Sequence, residues 1–506
     1  MKLLVTTIKN DEFDSDLSLR YLYSVVDKSP INVDWKTYDK FLADEEIYSD
    51  IINGKYNIIY FYSDEMNDYR ISAVSELIKK SVPSTAVVVG GPSASFDTHN
   101  YMKSHDYVDY AIRGEGELVF FNFIKSLVSY SFDFENIKGL AYRNGEDIII
   151  NKYEDPIEME ELPFPYDRTD LPKDIVYYET TRGTSDLSNF IQVLPDASLR
   201  SLSLSRVCTE LRYLFVREVD RVIFTDNFFN HNIERAYRIF EYLINNDNGH
   251  TVFEMNIDGD NLDEETIRLL TEARKGLFIF NIDAASTNAA TLDAIGRREN
   301  IYQLMYNVTK LLTSTKVEVV ISIIIGLPYD TEALFARSFN KAYGLADGAL
   351  LKVKPMVLHD FTKLMRMADK YGYIYMSRSP HNVIATDYMP APDMIKIKSI
   401  AKVVDKYRGQ KGFTKVIDRI LNDTATKPYE FFDKLNDYIF VNEIGNLMSN
   451  KADLFRVLNA FAIGLYNEDD DSKLCNFNNL IKAEVEANLT TEEFENFERK
   501  GWDIEL

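Results

Sequence analysis

A chain of 506 residues is long enough for about two to four domains with large cores. Its hydrophobic fraction of 45% and charged fraction of 27% are those of a globular protein. The formal net charge of −23 argues against nucleic acid or an anionic membrane as partner, because phosphate rewards clustered Lys and Arg.

No apolar run approaches ~18 residues, and the opening MKLLVTTIKNDEFD turns acidic at once, so neither a spanning helix nor a signal peptide is predicted. The two cysteines, Cys208 and Cys475, suit a reducing cytoplasm and exclude an all-cysteine site with three or four ligands from one chain.

Residues 1–145 read as an α/β domain. Lys2–Thr7, Tyr56–Tyr62, Thr85–Gly90 and Val108–Ile112 are apolar strand candidates, with helical spacing at Leu17–Val26 and Ile71–Lys80. Short β-branched strands alternating with helices imply a parallel, doubly wound sheet, and such sheets bind ligands beyond their strand carboxyl ends. Gly90-Gly91-Pro92 and Gly114-Glu115-Gly116 fall at those ends. There the missing side chains let a backbone approach a ligand, although plain turn chemistry accounts for either set alone.

Residues 146–175, with DPIEMEELPFPYD, read as an extended linker. Residues 176–390 repeat strand then helix. Strand candidates are Ile175–Thr180, Arg221–Thr225, Val252–Ile257, Leu277–Ile282, Val317–Ile325 and Leu350–Met356. Helices fall at Ser205–Arg217, His231–Asn246, Glu264–Ala273 and Tyr302–Leu312, with Asp263 as the N-cap of the third. Six such units predict a partial barrel of parallel strands with its functional face at the strand carboxyl ends. Residues 391–506 read as all helical, with helices at Asp393–Tyr407, Phe413–Leu421, Tyr429–Met448 and Ala452–Tyr466 and an acidic, solvated tail.

Several stretches carry a family resemblance. VVVGGPSASF at 87–96 and IRGEGE at 112–117 resemble the cobalamin-binding-type, Rossmann-like domain that precedes many radical SAM barrels. YYETTRGTSDLSNFI at 177–191 resembles the first strand and cluster loop of a radical SAM enzyme, where E-[TS]-x-R-G-C continues as CxxxCxxC. Asp226-Asn227-Phe228-Phe229 matches D-x-x-F, and Ala294–Asn300 (AIGRREN) matches the A-I-x-R loop. Asn281–Asn288, with Ser286, stands at the SAM-ribose motif, although its Gln has become Ala285. Ile325-Gly326-Leu327-Pro328-Tyr329-Asp330 matches the I-x-G-L-P-x-[ED] strand end on the adenine side. RSPHNV at 378–383 and the sequence after it resemble the helical extension of a cobalamin-type radical SAM subfamily.

That resemblance implies cobalamin and SAM as cofactors, held by Gly90, Gly91, Pro92, Gly114, Glu115 and Gly116 for the one and by Ser286, Gly326 and Pro328 for the other. It also locates what is missing. The three cysteine positions are Thr184, Ser188 and Ile191. Iron–sulfur clusters are held by anionic thiolates, which two neutral hydroxyls and an aliphatic chain do not replace, so a [4Fe–4S] cluster is not expected. Cys208, inside a predicted helix on its apolar side, reads as a core thiol.

No substitute catalytic or metal-binding constellation is found. The six histidines are scattered; His99 and His105 read as solvated helix residues, and the pair His231 and Glu234 as helix-terminus polarity. The sequence therefore supports a degenerate member acting through binding, as partner or scaffold for an active radical SAM enzyme or a peptide substrate. The alternative is a cobalamin- or SAM-dependent enzyme without the radical step, such as a methyltransferase. A third account, cysteines replaced by design, sits poorly with Asp186, Ile191 and the altered ribose motif, which have the look of drift.

Overall fold

The computed structural model describes residues 1–10, 15–184, 189, 192, 198–297, 300–345, 349–466 and 471–502. The apolar run KLLVTTI forms β1 (Lys2–Ile8), with six of its seven residues buried. It pairs in parallel with β2 (Asn32–Tyr38) on one side and β3 (Ile58–Tyr62) on the other. Beyond β3 follow β4 (Ala86–Gly90) and β5 (Tyr110–Ile112), also parallel. The order β2-β1-β3-β4-β5 reverses direction between β1 and β3, the crevice where doubly wound sheets bind ligands. The sequence reading missed β2 because NVDWKTY is a half-exposed edge strand with polar residues at alternate positions.

The sheet also runs past the expected boundary at residue 145. β6 (Leu140–Asn144) and β7 (Asp147–Ile150) add an antiparallel hairpin, closed by a two-residue turn in which Gly145 takes φ +65°. The remainder of the expected linker is not loose. Met159, Leu162 and Tyr166 are buried in the core of the next domain. Arg206 donates to the Met159 and Leu162 carbonyls at 3.0 and 2.7 Å.

The second sheet begins with β8 (Ile175–Tyr178). A short antiparallel pair, β9 (Thr181–Arg182) and β10 (Arg200–Ser201), leads out of it. Then follow β11 (Arg221–Phe224), β12 (Val252–Asn256), β13 (Phe278–Ala285), β14 (Glu318–Ile325) and β15 (Leu350–Pro355). The six long strands are parallel and lie in chain order from β8 to β15, which do not pair with each other, so the barrel stays open. Asp263 caps the helix Glu264–Leu270 as expected, accepting the Thr266 N–H at 2.7 Å.

A three-stranded antiparallel sheet, β16 (Val357–Leu358), β17 (Ile374–Tyr375) and β18 (His381–Ala385), was not legible, since strands of two to five residues carry too little alternation. The last part is helical. Ala391–Arg408 lies on β14 and β15, and among the described residues five further α-helices follow from Thr414 to Lys500. The expected single helix at 429–448 breaks after Val441, where Glu443 takes φ +56°. Among the described residues, no helix is long and apolar enough to cross a membrane.

Candidate functional site

The carboxyl ends of β3, β4 and β5 face the start of the second sheet across a cavity of about 400 Å³. Gly91, Pro92, Gly114, Glu115 and Gly116 line it, five of the six residues assigned to cobalamin by resemblance. Gly90 does not; it ends β4 against Tyr60, whose hydroxyl a Cβ would meet at 2.1 Å. Gly91 is required at its position: it takes φ +96°, and a Cβ would come within 2.5 Å of the Ser63 carbonyl oxygen. Leu22, Tyr62, Phe96 and Tyr153 give the cavity apolar and flat aromatic walls, while Gln192 and Asn227 supply side-chain amides. Bare glycine backbone, flat rings and scattered amides fit a large amphipathic ring such as a corrin. The described lining residues include no histidine, cysteine or methionine, so none of them offers cobalt a nitrogen or sulfur ligand.

The floor of the cavity is ionic. Arg182, from the E-T-T-R-G run, reaches Glu117 at 2.9 Å and Glu179 at 2.8 Å, with Glu115 at 3.7 Å. Glu115 in turn pairs with Arg200 and accepts the Ile157 N–H at 3.1 Å. Burial alone would raise the Glu115 carboxyl, but the Arg200 hydrogen bond and the Arg182 charge hold it below the usual carboxylate range. Glu179 goes the other way, pushed up by burial against the counter-pull of Arg182. Glu115, expected on the cofactor, thus fastens the first domain to the second. Arg182, Glu117, Glu179 and Arg200 were missed as a group, although IRGEGE and E-T-T-R-G held three of them.

The barrel motifs are turned inward. Asp226 of the D-x-x-F stretch accepts both the Thr180 hydroxyl (2.6 Å) and its N–H (3.1 Å), joining the ends of β8 and β11. Ser286 is 1% exposed, accepts the Asn288 N–H at 3.1 Å and shares a hydrogen bond with Ser338. Arg297 of the AIGRREN loop donates to the Asp283 carbonyl at 2.7 Å. Gly326 takes φ +85°, and a Cβ there would stand 2.8 Å from the Met394 methyl of the C-terminal helix. Its carbonyl accepts the Tyr373 hydroxyl at 3.0 Å. Ser286, Gly326 and Pro328 do not line the cavity, and Ser286 and Gly326 are engaged by the chain's own packing. Asp330, which ends the same motif, is fully buried, and among the described residues neither carboxylate oxygen has a hydrogen-bond partner. Burial pushes its carboxyl up to about 7.

Of the three cysteine positions, Thr184 lines the cavity; Ser188 and Ile191 lie outside the described residues, as do residues 11–14, 298–299 and 467–470 of the stretches discussed above. Cys208 is only partly buried, and burial raises its thiol. Cys475 is exposed on the helix Asp471–Asn488. His99 is exposed as expected, but His105 is partly buried, packed on Tyr101 and Tyr107 with Nδ1 2.7 Å from the Tyr101 carbonyl. Among the described residues, no three His, Cys, Asp or Glu side chains are grouped to hold a metal ion.

Comparison with known proteins agrees with this architecture. The radical SAM superfamily model matches residues 196–342, beginning past the 184–191 stretch. A family described as a protein of unknown function, DUF4080, matches residues 369–500. Over 84 residues, 17% of this chain and 12% of the relative, the sequence is 31% identical to the cobalamin-dependent radical SAM methyltransferase TokK of Streptomyces tokunonensis. The matched stretches span 51% or less of the curated relatives' own lengths. The radical SAM methyltransferase TsrM of Kitasatospora setae superposes with a TM-score of 0.63 at 13% identity, covering 88% of this chain and 99% of that one. The cobalamin-dependent radical enzyme OxsB, solved with aqua-cobalamin, gives 0.63 at 13% identity, covering 99% and 83%. Residues 196–342 therefore match the radical SAM superfamily, within a chain that shares the fold of TsrM and OxsB.

Proposed function

We propose that the chain binds cobalamin in the cavity between its first two domains and works there by polar chemistry, with methyl transfer as the reaction class. The observation that carries this reading is the cavity itself: glycine backbone at the ends of β4 and β5, facing flat aromatic walls. Held there, cobalamin would supply a metal centre able to take a methyl group from a donor and pass it to a nucleophile, chemistry that needs no iron–sulfur cluster. The chain's part is to hold and orient. Gly91, Gly114 and Gly116 let backbone approach the ring, Tyr62, Phe96 and Tyr153 cover apolar faces, and the Arg182 network fixes the two walls relative to each other. Tandem solvent exclusion by the second domain strengthens every polar contact in the cavity.

A cluster of the chain's own does not fit, because Thr184, Ser188 and Ile191 offer no thiolate and two cysteines cannot supply three. That donor set, together with the inward-turned Ser286 and Gly326, favours a second reading, in which the chain is a binding partner or scaffold for an active radical SAM enzyme or its peptide substrate. Cobalt and iron content after anaerobic reconstitution with hydroxocobalamin, iron and sulfide separates the two. About one cobalt per chain without iron supports the first reading. Neither metal leaves the scaffold reading, and 5′-deoxyadenosine formed from SAM by the chain alone overturns both.

A further inference from the structure

The stretch RSPHNV at 378–383, expected to belong with the helical extension, instead leads into β18. Its first residues line a second cavity, of about 280 Å³, against the amino-terminal domain. The acids in this cavity are already engaged. Glu65 pairs with His359 and accepts the Asp360 N–H at 3.1 Å. Asp68 accepts the Ser63 and Tyr101 hydroxyls at 2.7 and 2.9 Å, and Asp360 stands 3.4 Å from His381 Nε2.

Tyr101 and Gln192 spend their donors on Asp68 and on the Asp360 carbonyl, and two further donors, Arg378 and Ser379, are left unengaged among the described residues. Arg378 is exposed, lies over the Tyr69 ring at 4.3 Å and makes no ion pair or hydrogen bond among the described residues. The Ser379 hydroxyl is buried and has no partner among the described residues. A guanidinium held over a ring by its carbon still has N–H groups to offer for the two-pronged grip that carboxylate and phosphate oxygens accept. A buried hydroxyl without a partner is destabilising until a ligand or water supplies one. The two cavities also adjoin: Pro92 and Gln192 line both.

We propose that this second cavity binds the anionic group, carboxylate or phosphate, of a small-molecule substrate whose reacting end lies in the first cavity. The assignment of the reacting end rests on the reading of the first cavity as the corrin site. Arg378 and Ser379 hold the anion, and Gln192 marks the passage between the two spaces.

The test is calorimetric titration of the full chain with inorganic phosphate and, separately, with acetate at fixed ionic strength. The native chain, Arg378→Ala and Ser379→Ala are compared, and hydroxocobalamin is titrated in parallel. The expected result is one site for one of the anions, weakened about ten-fold or more in Arg378→Ala and less in Ser379→Ala, with hydroxocobalamin affinity unchanged. Phosphate binding alone assigns a phosphate ester, and acetate binding alone a carboxylate. Binding of neither anion, or binding that Arg378→Ala leaves intact, overturns the site. Failure of hydroxocobalamin to bind the native chain overturns the corrin reading instead, and the anion titrations still decide the second cavity by themselves.

Discussion

The strand ends of the first sheet and those of the second treat similar residues in opposite ways. At the ends of β4 and β5, glycines leave backbone facing an open cavity. At the ends of β13 and β14, a serine and a glycine from equally recognisable motifs are closed over by Ser338, Met394 and Tyr373. A motif marks a backbone geometry, and whether that geometry faces a ligand or the chain itself is set by what packs against it. Positive φ at Gly91 and Gly326 is common to both ends; the neighbours differ.

The comparison breaks first at the ionic floor of the open cavity. Arg182→Met leaves Glu117 and Glu179, whose side chains are 8% and 15% exposed, without their counter-charge. A loss of about 3–5 kcal/mol in urea unfolding is expected, enough to abolish the fold in a marginal chain. A loss below about 1 kcal/mol would mean that the network is wetter than its geometry implies.

At the closed end the largest effect belongs to Asp330. Its folded-state carboxyl lies near 7 against an ordinary 3.8, so the native state holds a proton that the unfolded chain has released. The stability this contributes is complete below about pH 4 and is lost as pH rises through about 7, up to about 4 kcal/mol. Asp330→Asn should therefore raise Tm at pH 8 and change it little at pH 4.5. Equal shifts at both pH values would place a partner on the carboxylate.

Gly91→Ala and Gly326→Ala sharpen the contrast directly. Each forces a side chain into the left-handed region, at about 1–3 kcal/mol. Only Gly91→Ala should also weaken hydroxocobalamin binding, read by the shift of its visible absorption on titration. Equal weakening by both would show that the second set of strand ends also reaches the cofactor.

The smallest effect concerns the contact between Glu65 of the first domain and His359 of the second. The hydrogen bond that His359 donates to Glu65 raises the imidazole above 6.5, while burial of Glu65 is outweighed by His359, which holds its carboxyl below 4.5. The histidine part of this stability is complete below pH 6.5 and is lost as pH rises through the elevated folded value. The carboxylate part is present above pH 4.5 and is lost on acidification. His359→Ala should thus lower Tm most between about pH 5 and 6.5, and a flat difference from pH 5 to 9 would count against the pair.

The succession of strands was legible because buried parallel strands such as VVVG and VEVVISIII are continuous apolar runs, and intervening helices carry a 3.6-residue period. The cysteine count was equally final, since ligand identity is a property of residue type. The hairpin Leu140–Ile150, the short sheet through His381 and the fate of the motif residues were not legible, because each depends on partners distant in sequence. Thus the amino-acid sequence alone determined the order of α/β units and the absence of three thiolates. Only the tertiary structure decided that Glu115 ties two domains together, that Ser286 and Gly326 face inward, and that Arg378 faces an unfilled space. Pairing and burial are relations between distant segments, and those relations exist only once the chain has closed on itself.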